Sequence, residues 1–304
     1  MRNMLNSKLV LSLVVIIAFY CQCNQPDKTD KTSTTLIQKH TVVVPKRTAP
    51  AKVSYHFEKA KAWLAANGKT LDSVELHIVL AVNRTDRDYL GKMDSILVPD
   101  DLSGDIAFYL PFPLSVPGLK DVSKIIFFSY PTQIFATYEY GQLIYTGPTN
   151  MGRKKDPTPT GIYYANWKAE ETISTVDDEW KLKWNFNIQN KEGIGWHQYS
   201  LPGYPASHSC LRLQEGDAHY LYNWANQFIV KTTDGKDSIL VNGTPAIVFG
   251  TYNFDGPKPW LQVATNPKAL DIPAATLEQE VTPHLNEILA QQKKREDADA
   301  VAGK

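Results

Sequence analysis

The chain has 304 residues, of which 43% are hydrophobic and 11% aromatic, and a chain of this length can bury the core of one or two globular domains. Lys plus Arg and Asp plus Glu each number 32, so the formal net charge is zero. Proteins that bind nucleic acid rely on an excess of basic residues, and this balance argues against a nucleic-acid partner.

Residues 1–23 have the pattern of an export signal. Two basic residues precede the apolar run Leu9–Phe19, which is too short to span a bilayer. Because a cysteine closes this run, the pattern predicts a bacterial lipoprotein leader in which Cys21 or Cys23 carries the lipid. The alternatives are simple secretion and an uncleaved anchor. All three place the protein in the cell envelope or periplasm, with membrane contact only through an N-terminal anchor.

The next segments are a linker and a small helical region. Residues 24–50 are rich in Thr, Lys, Asp and Pro and are expected to form a disordered tether. A helix is predicted to begin near Ser54 and to end at Asn67 and Gly68, a pair typical of a left-handed helix cap. The apolar face of this helix comprises Phe57, Ala60, Leu64 and Ala65.

A second pattern lies within the same small region, which extends over residues 51–120. Residues 71–101 contain an apolar run typical of a helix, then Asn83, then LGKMDSILVPD. This order resembles the second half of a LysM peptidoglycan-binding module, and the resemblance would make residues 70–100 a glycan-binding segment. The alternative is a small helical cap that packs on the next domain.

The sequence then changes to short runs of aromatic and β-branched residues, which favour strands. Residues 133–140, QIFATYEY, alternate between two sets of side chains, which predicts a half-buried strand. Gly141 between two such runs, and Asp234 with Gly235 between two others, indicate hairpins. We therefore expect residues 124–254 to form a mostly antiparallel, β-rich domain.

Two helices are expected within and after this domain. Residues 214–227 have apolar side chains at helical spacing and acidic residues in the first turn, where they stabilise a helix. Residues 255–304 form a C-terminal extension in which Thr276 begins an amphipathic helix that is expected to restart or kink at Pro283. The fold class predicted for the whole chain is α+β, with a β-rich domain, a small helical N-terminal region and a C-terminal helix.

The thiol of Cys210 lies far from the leader, in the sequence ASHSCLRL at residues 206–213. A single thiol in an exported protein is either buried in the core or kept for chemistry, which needs a base and a positive surrounding. His208 and Arg212 lie two residues to either side, and on a strand they share one face with the thiol. His197 ends the strand-like GIGWH, and the loop after it can fold the imidazole over the thiol.

These residues resemble a known family, the L,D-transpeptidase catalytic domain, which remakes cross-links in bacterial peptidoglycan. The family signature is a strand ending in His, a loop, and Ser-His-Gly-Cys followed by an apolar residue and Arg or Asn. Here it reads His197, residues 207–210, Leu and Arg212. Upstream, residues 158–161 are similar to the family's Thr-Pro-x-Gly turn, and downstream VNGTPAIVF is similar to its last strand. The match covers residues 124–254 with three motifs in order.

The resemblance implies a role for each residue of the site. Cys210 is the nucleophile, and His197, held by a backbone carbonyl, takes its proton. Backbone N–H groups from His208 to Cys210 form the oxyanion hole. Arg212 orders the site or holds a substrate carboxylate, and a purely structural role is the alternative. The expected catalytic residues are Cys210, His197 and His208, and those expected to bind the oxyanion or substrate are Ser207, Ser209 and Arg212.

The sequence departs from the family pattern at two positions. Ser209 replaces the glycine after the histidine of the motif, and a positive φ at this position would cost a serine on the order of 1 kcal/mol. Gln198 replaces the glycine after the base histidine, and its bulk would narrow one substrate channel. These departures leave the choice between transfer and hydrolysis open.

Other interpretations of the same residues remain. His197, His208 and Cys210 are potential zinc ligands without an evident fourth, and His208 alone could brace the loop as a core residue. Aromatic residues could line a glycan or stem-peptide groove or pack in the core; they are Trp167, Trp180, Trp184, Trp196, Tyr199 and Tyr204. The polar segment 167–196, with Asp177, Asp178 and Glu179, could be a lid.

The function predicted by the resemblance is a peptidoglycan L,D-transpeptidase that needs no cofactor or metal. Its partner is a peptidoglycan stem peptide, which acylates Cys210 with release of D-alanine and is then transferred to an amine. One alternative is a cysteine hydrolase in which water resolves the thioester and cross-links or anchors are cut. The other is a catalytically silent protein that binds the cell wall through its N-terminal region.

Overall fold

A computed structural model describes three stretches of the chain, residues 42–67, 73–174 and 181–302. Several predicted features lie outside these residues: the leader at 1–23, the tether as far as residue 41, Gly68 of the helix cap, and the acidic residues 177–179 of the lid. Contacts group the chain from Val42 to Lys304 into one compact unit. The domain boundaries proposed from the sequence within this unit stay predictions.

The N-terminal part is a two-stranded sheet with helices between its strands. Strand β1 (Tyr55–Glu58) is followed by helices α1 (Ala60–Asn67), α2 (Ser73–Val82) and α3 (Arg87–Leu90), and by strand β2 (Ile96–Pro99). β1 and β2 pair antiparallel. The prediction of a helix from Ser54 is wrong for its first residues, because the pairing partner of β1 lies far along the chain. The helix, Asn83 and strand predicted from the LysM resemblance are present, whereas glycan binding stays a prediction.

Residues 42–50 are part of the fold. The Arg47 side chain donates to the backbone oxygens of Leu143 at 2.7 Å and Ile144 at 3.2 Å. These bonds hold the segment against the large sheet. The prediction of a disordered tether therefore does not hold for residues 42–50.

The large sheet has nine strands in the order β6, β13, β3, β4, β5, β10, β9, β8, β7. The strands after β2 are β3 (Ile125–Ser129), β4 (Ile134–Glu139), β5 (Gln142–Asn150), β6 (Gly161–Tyr164), β7 (Lys168–Ile173), β8 (Lys181–Gln189), β9 (Ile194–Gln198), β10 (Leu211–Leu213), β11 (Ile229–Thr233), β12 (Lys236–Val241) and β13 (Pro245–Phe249). β13 with β3 and β10 with β9 are parallel, and the other pairs are antiparallel. The predictions of an α+β class and a mostly antiparallel sheet are confirmed.

Strand β4 is buried on both faces, which corrects the prediction of a half-buried strand. Ile134, Ala136 and Tyr138 pack in one hydrophobic cluster, and Phe135 packs in another on the opposite face. All four side chains are fully buried. The period of two is real, but both faces of the central sheet are covered by other elements.

The predicted hairpin turns are present. Tyr140 and Gly141 join β4 to β5 with φ values of 47° and 74°, and Asp234 and Gly235 join β11 to β12 with values of 52° and 72°. Positive φ at both central residues is the conformation of the tight turns that match the twist of a hairpin. β11 and β12 form a separate two-stranded sheet.

Helix α4 (Glu215–Trp224) follows β10, and α5 (Ala274–Val281) and α6 (Leu285–Ala302) close the chain. The predicted interruption at Pro283 is confirmed as a short 3-10 turn, Thr282–His284, between α5 and α6. Proline has no backbone N–H, so the α-helical hydrogen-bond pattern is interrupted at Pro283. Within the described stretches, none of the helices combines the length and the apolar character that crossing a membrane requires.

Candidate active site

The candidate site lies where β9 and β10 run side by side. In the parallel register of these strands, Arg212 lies opposite His197, and Cys210 comes directly before β10. A cavity of about 310 Å³, including its open mouth, forms at this place and is called the Cys210 pocket. Its lining residues are Ser174, Leu182, His197, Tyr199, Ser207, His208, Cys210 and Arg212.

The ring of His197 is oriented by a backbone carbonyl. Its Nδ1 lies 2.9 Å from the carbonyl oxygen of Gln198, and because a carbonyl only accepts, Nδ1 carries the hydrogen. The other nitrogen, Nε2, then has the lone pair that a base needs. Burial is the largest effect on the ring; together with the charge of Arg212, and against the opposing hydrogen bond to Gln198, it lowers the pKa of His197 to about 4. The imidazole is thus neutral at pH 7.

Cys210 lines the pocket, and the residue as a whole is partly exposed. Burial raises its pKa, while a backbone hydrogen bond from Gly195 and the charge of Arg212 lower it. Sγ also donates a long hydrogen bond of 3.7 Å to the carbonyl oxygen of Gly193. The resting pair is therefore a neutral thiol and a neutral imidazole, and the thiolate forms only when the proton is removed.

Ser209 has a φ of 77°, so the position does have the left-handed backbone for which a glycine is suited. Its Oγ donates to the backbone oxygen of Pro157 at 3.1 Å. Its own carbonyl oxygen accepts from Thr158 Oγ1 at 2.8 Å, and the same oxygen of Thr158 accepts from Gly152 N at 2.9 Å. The Thr-Pro turn found in the sequence therefore fixes the strained residue next to the thiol.

This strain predicts an unusual order of stability at position 209. Ser209→Ala keeps the left-handed strain and loses the side-chain bonds, whereas Ser209→Gly loses the bonds and relieves the strain. We expect the glycine variant to be more stable than the alanine variant by about 1 kcal/mol, although glycine is usually the less stable of the two. Urea unfolding of both variants tests this, and an alanine variant as stable as the glycine variant would contradict it.

His208 reaches the pocket from the bend before β10. The prediction that it shares a strand face with Cys210 is wrong, because β10 begins at Leu211 and the left-handed Ser209 breaks the alternation. Arg153 Nη2 lies 3.3 Å from His208 Nδ1, and since a guanidinium only donates, Nδ1 accepts. Burial and the charge of Arg153 lower the pKa of His208.

Ser207 and Arg212 both line the pocket. The backbone of Ser207 is fixed by hydrogen bonds to Met151 O at 3.1 Å and from Arg153 N at 2.9 Å, and its buried hydroxyl has no hydrogen-bond partner among the described residues. The Arg212 guanidinium lies 4.5 Å from the centre of the Tyr199 ring. The charged and polar groups that affect the pKa of Arg212 include no carboxylate within the described stretches.

The structure bears on two other interpretations of the sequence, a zinc site and an aromatic groove. Residues 42–67, 73–174 and 181–302 contain no group of three His, Cys, Asp or Glu side chains arranged to hold a metal ion. Trp196 is fully buried against Phe128 and Phe186 and belongs to the core. Of the aromatic residues considered for a groove, Tyr199 lines the pocket, and Trp180 lies outside the described residues.

Sequence reasoning missed the polar partners of the motif. Arg153 donates from Nε to Asp156 at 2.6 Å and also contacts His208. The ion pair therefore helps to hold the His208 side chain in place. Leu182 of β8 and Ser174, which directly follows β7, also line the pocket. The one available signal was the position of Arg153 and Asp156 directly before the Thr-Pro turn.

Part of the chain is similar to known proteins. Residues 123–248 match the model of the YkuD family, described as the L,D-transpeptidase catalytic domain. Among solved structures, the chain is similar to an L,D-transpeptidase from Mycobacterium smegmatis, with 19% identity over 42% of this chain and 59% of that one and a TM-score of 0.33. It is also similar to one from Stackebrandtia nassauensis, with 20% identity over 43% and 57% and a TM-score of 0.34.

A third similar structure is an L,D-transpeptidase from Mycobacterium tuberculosis H37Rv, with 21% identity over 42% of this chain and 58% of that one and a TM-score of 0.33. The chain thus spans less than three fifths of the length of these proteins. The search of curated proteins found no match.

Proposed function

We propose, from the match of residues 123–248 to the family model of the L,D-transpeptidase catalytic domain, that the chain is a cysteine acyltransferase acting on peptidoglycan stem peptides in the bacterial cell envelope. The observation that carries the proposal is the Cys210 pocket, in which a thiol and a neutral imidazole share one opening. Hydrogen bonding of Nδ1 to Gln198 leaves Nε2 of His197 as the base.

The first half of the proposed reaction acylates the enzyme. Sγ of Cys210 attacks the carbonyl carbon that joins the third residue of the stem, a diamino acid, to the terminal D-alanine, and its proton passes to His197 Nε2. The new carbon–sulfur bond forms, the carbon–nitrogen bond breaks, and the imidazolium returns the proton to the leaving amine. D-alanine leaves, and a thioester remains on Cys210.

The second half transfers the acyl group. An amine attacks the thioester carbonyl, His197 takes the proton of the amine, and the carbon–sulfur bond breaks to regenerate the thiol. The acceptor is the side-chain amine of a neighbouring stem or a D-amino acid. Burial keeps the His197 imidazole neutral in the resting enzyme, so the same group can act first as base and then as acid.

Backbone N–H groups around residues 208–210 would stabilise the oxyanion, where each lost donor typically costs about 3 kcal/mol of transition-state stabilisation. The left-handed Ser209 turns the chain at this place. Arg212, without a carboxylate partner among the described residues, would hold a carboxylate of the substrate, for which its planar fork is suited.

The proposal is tested with purified protein and tetrapeptide muropeptides, followed by mass spectrometry of the products. We expect cross-linked dimers, with D-alanine released in equal amount, since an amine resolves the thioester. Tripeptides without dimers would instead assign the chain to the hydrolase alternative. Unchanged muropeptides would contradict both and would favour the silent wall-binding protein.

A further inference from the structure

The loop between the base and the nucleophile, residues 199–209, is held by a segment far away in the sequence. This segment, residues 83–86, is called the clamp, and it lies outside residues 123–248. The backbone of Asp86 donates to Leu201 O at 3.1 Å, and its carboxylate Oδ2 accepts from Leu201 N at 2.7 Å. Thr85 Oγ1 adds a third bond to Leu201 O at 2.9 Å.

The clamp also contacts the far side of the nucleophile. Gln214, which directly follows β10, donates from its side chain to the backbone oxygen of Thr85 at 2.8 Å. Thr85 and Leu201 are both fully buried, and the bond from Thr85 Oγ1 to Leu201 O is buried, whereas the bonds of Gln214 and Asp86 are partly buried. The clamp therefore holds the chain on both sides of Cys210, after β9 and after β10.

The clamp is itself fixed to the N-terminal helices and strands. Asn83 donates to the backbone oxygens of Val79 and Leu97 at 2.8 Å each and accepts from Leu97 N at 2.9 Å. The buried Arg84 side chain donates from Nε to Thr132 O at 2.9 Å, and its guanidinium lies 5.4 Å from the centre of the Trp260 ring. A displacement of the clamp would break these buried bonds as well.

Asp86 makes the bond between the clamp and the loop in which one partner is charged. Its two carboxylate oxygens accept from two backbone groups, Tyr89 N at 3.0 Å and Leu201 N at 2.7 Å. Hydrogen bonds to an ionised acceptor are about twice as strong as neutral ones. The loop that they fix has little regular structure of its own, so its path depends on contacts of this kind.

We propose that Asp86 is a positioning residue for acyl transfer, because by fixing Leu201 it sets the geometry between the His197 imidazole and the Cys210 sulfur. The inference rests on the proposed function. Asp86 acts from a distance, through the loop that joins the two reacting residues. A displacement of about 1 Å between reacting groups can cost a factor of about 100 in rate.

The decisive variant is Asp86→Ser, because serine is also a good N-cap and retains the bond to Tyr89 N that begins α3. It removes the acceptor for Leu201 N. With tetrapeptide muropeptides, we expect kcat to fall about 10- to 100-fold while KM changes less than about twofold. The matched control is Asp88→Ser, the same change on an exposed residue of α3, which should leave both constants unchanged. A kcat for Asp86→Ser equal to that of the control would overturn the proposal.

A second readout separates this proposal from the proposed function. The rate at which iodoacetamide alkylates Cys210 is followed from pH 5 to 9 by mass spectrometry of its peptide. Base assistance by His197 keeps the wild-type rate nearly constant with pH, and we expect the rate of Asp86→Ser to rise steeply with pH. If the wild type transfers no peptide but this difference persists, the proposed function fails and the positioning role stands.

If Asp86→Ser does not fold, Thr85→Val replaces it. This change keeps the shape of the side chain and removes only the hydroxyl that donates to Leu201 O. We expect the same direction, a lower kcat and a steeper alkylation profile, with a smaller effect because a neutral bond is lost. A wild-type kcat and a wild-type alkylation profile in this variant would overturn the positioning role.

Discussion

Protein incubated with a saturating carbapenem is expected to gain one drug mass at Cys210, and the Cys210→Ala variant is expected to gain none. The thiolate attacks the strained lactam carbonyl, the carbon–sulfur bond forms, and the ring carbon–nitrogen bond opens without loss of a fragment. Cys210 lines the open pocket and is partly exposed, so the drug can approach it. Intact mass with peptide mapping measures the adduct and its position.

The stability of the variant distinguishes a catalytic from a core cysteine. Because Cys210 is only partly buried, its loss as a core contact is small, and we expect Tm to change by less than about 3 °C, which corresponds to about 1 kcal/mol for a domain of this size. A silent core cysteine gives the reverse pattern: no adduct in the wild type and a large fall in Tm in the variant. An unmodified wild-type mass under saturating drug would contradict the nucleophile assignment.

Local features of the sequence predicted much of the β-rich part. Asp234 and Gly235 indicate a hairpin through their own backbone preferences, which do not depend on the rest of the fold. Pro283 interrupts a helix for a reason that is equally local. At position 209 the family resemblance raised a positive φ only as a condition, and Ser209 has it.

Burial and strand pairing depend on distant partners, and here the sequence was insufficient. The alternation in β4 predicted one solvent face, but both faces of this central strand meet a hydrophobic cluster. The sequence of Tyr55–Glu58 alone predicts the start of a helix, and only its pairing with Ile96–Pro99 identifies it as a strand. The prediction that His208 and Cys210 share a strand face was also wrong. Ser209 lies between them with a left-handed backbone, which breaks the alternation of side chains that the prediction assumed.

The sequence predicted the candidate site residues, but it did not predict the distant residues that contact the loop between them. A His, a Cys and an Arg in the order of the signature are the basis for the proposed reacting pair, because the signature is contiguous apart from one loop. The bond between Asp86 and Leu201 joins residues 115 positions apart, and nothing in the composition of either segment indicates the other. The contact on which the proposed positioning role depends is thus visible only in the fold.

His197→Gln is expected to lower the rate of acylation by a carbapenem by a factor of about 100 to 10,000, the usual contribution of a general base. Its effect on pH dependence is equally specific. Since the pKa of His197 is lowered to about 4, the wild-type imidazole is neutral from about pH 5 upward, and the rate should fall only as the pH drops through about 4. Without the base, only preformed thiolate reacts, so the rate of the variant should rise about tenfold per pH unit until the thiol titrates.

The matched control for this experiment is His208→Gln, the same substitution in the other histidine of the pocket. Its imidazole contacts Arg153 rather than a carbonyl that would orient Nε2 as a base, so we expect this variant to keep the fall in rate near pH 4. The rates are measured by mass spectrometry from pH 3.5 to 9, with the Tm of each variant as the check on folding. If His208→Gln acquires the tenfold slope and His197→Gln keeps the step near pH 4, the two roles must be exchanged, because the group that sets the pH step is the group that accepts the proton from the thiol.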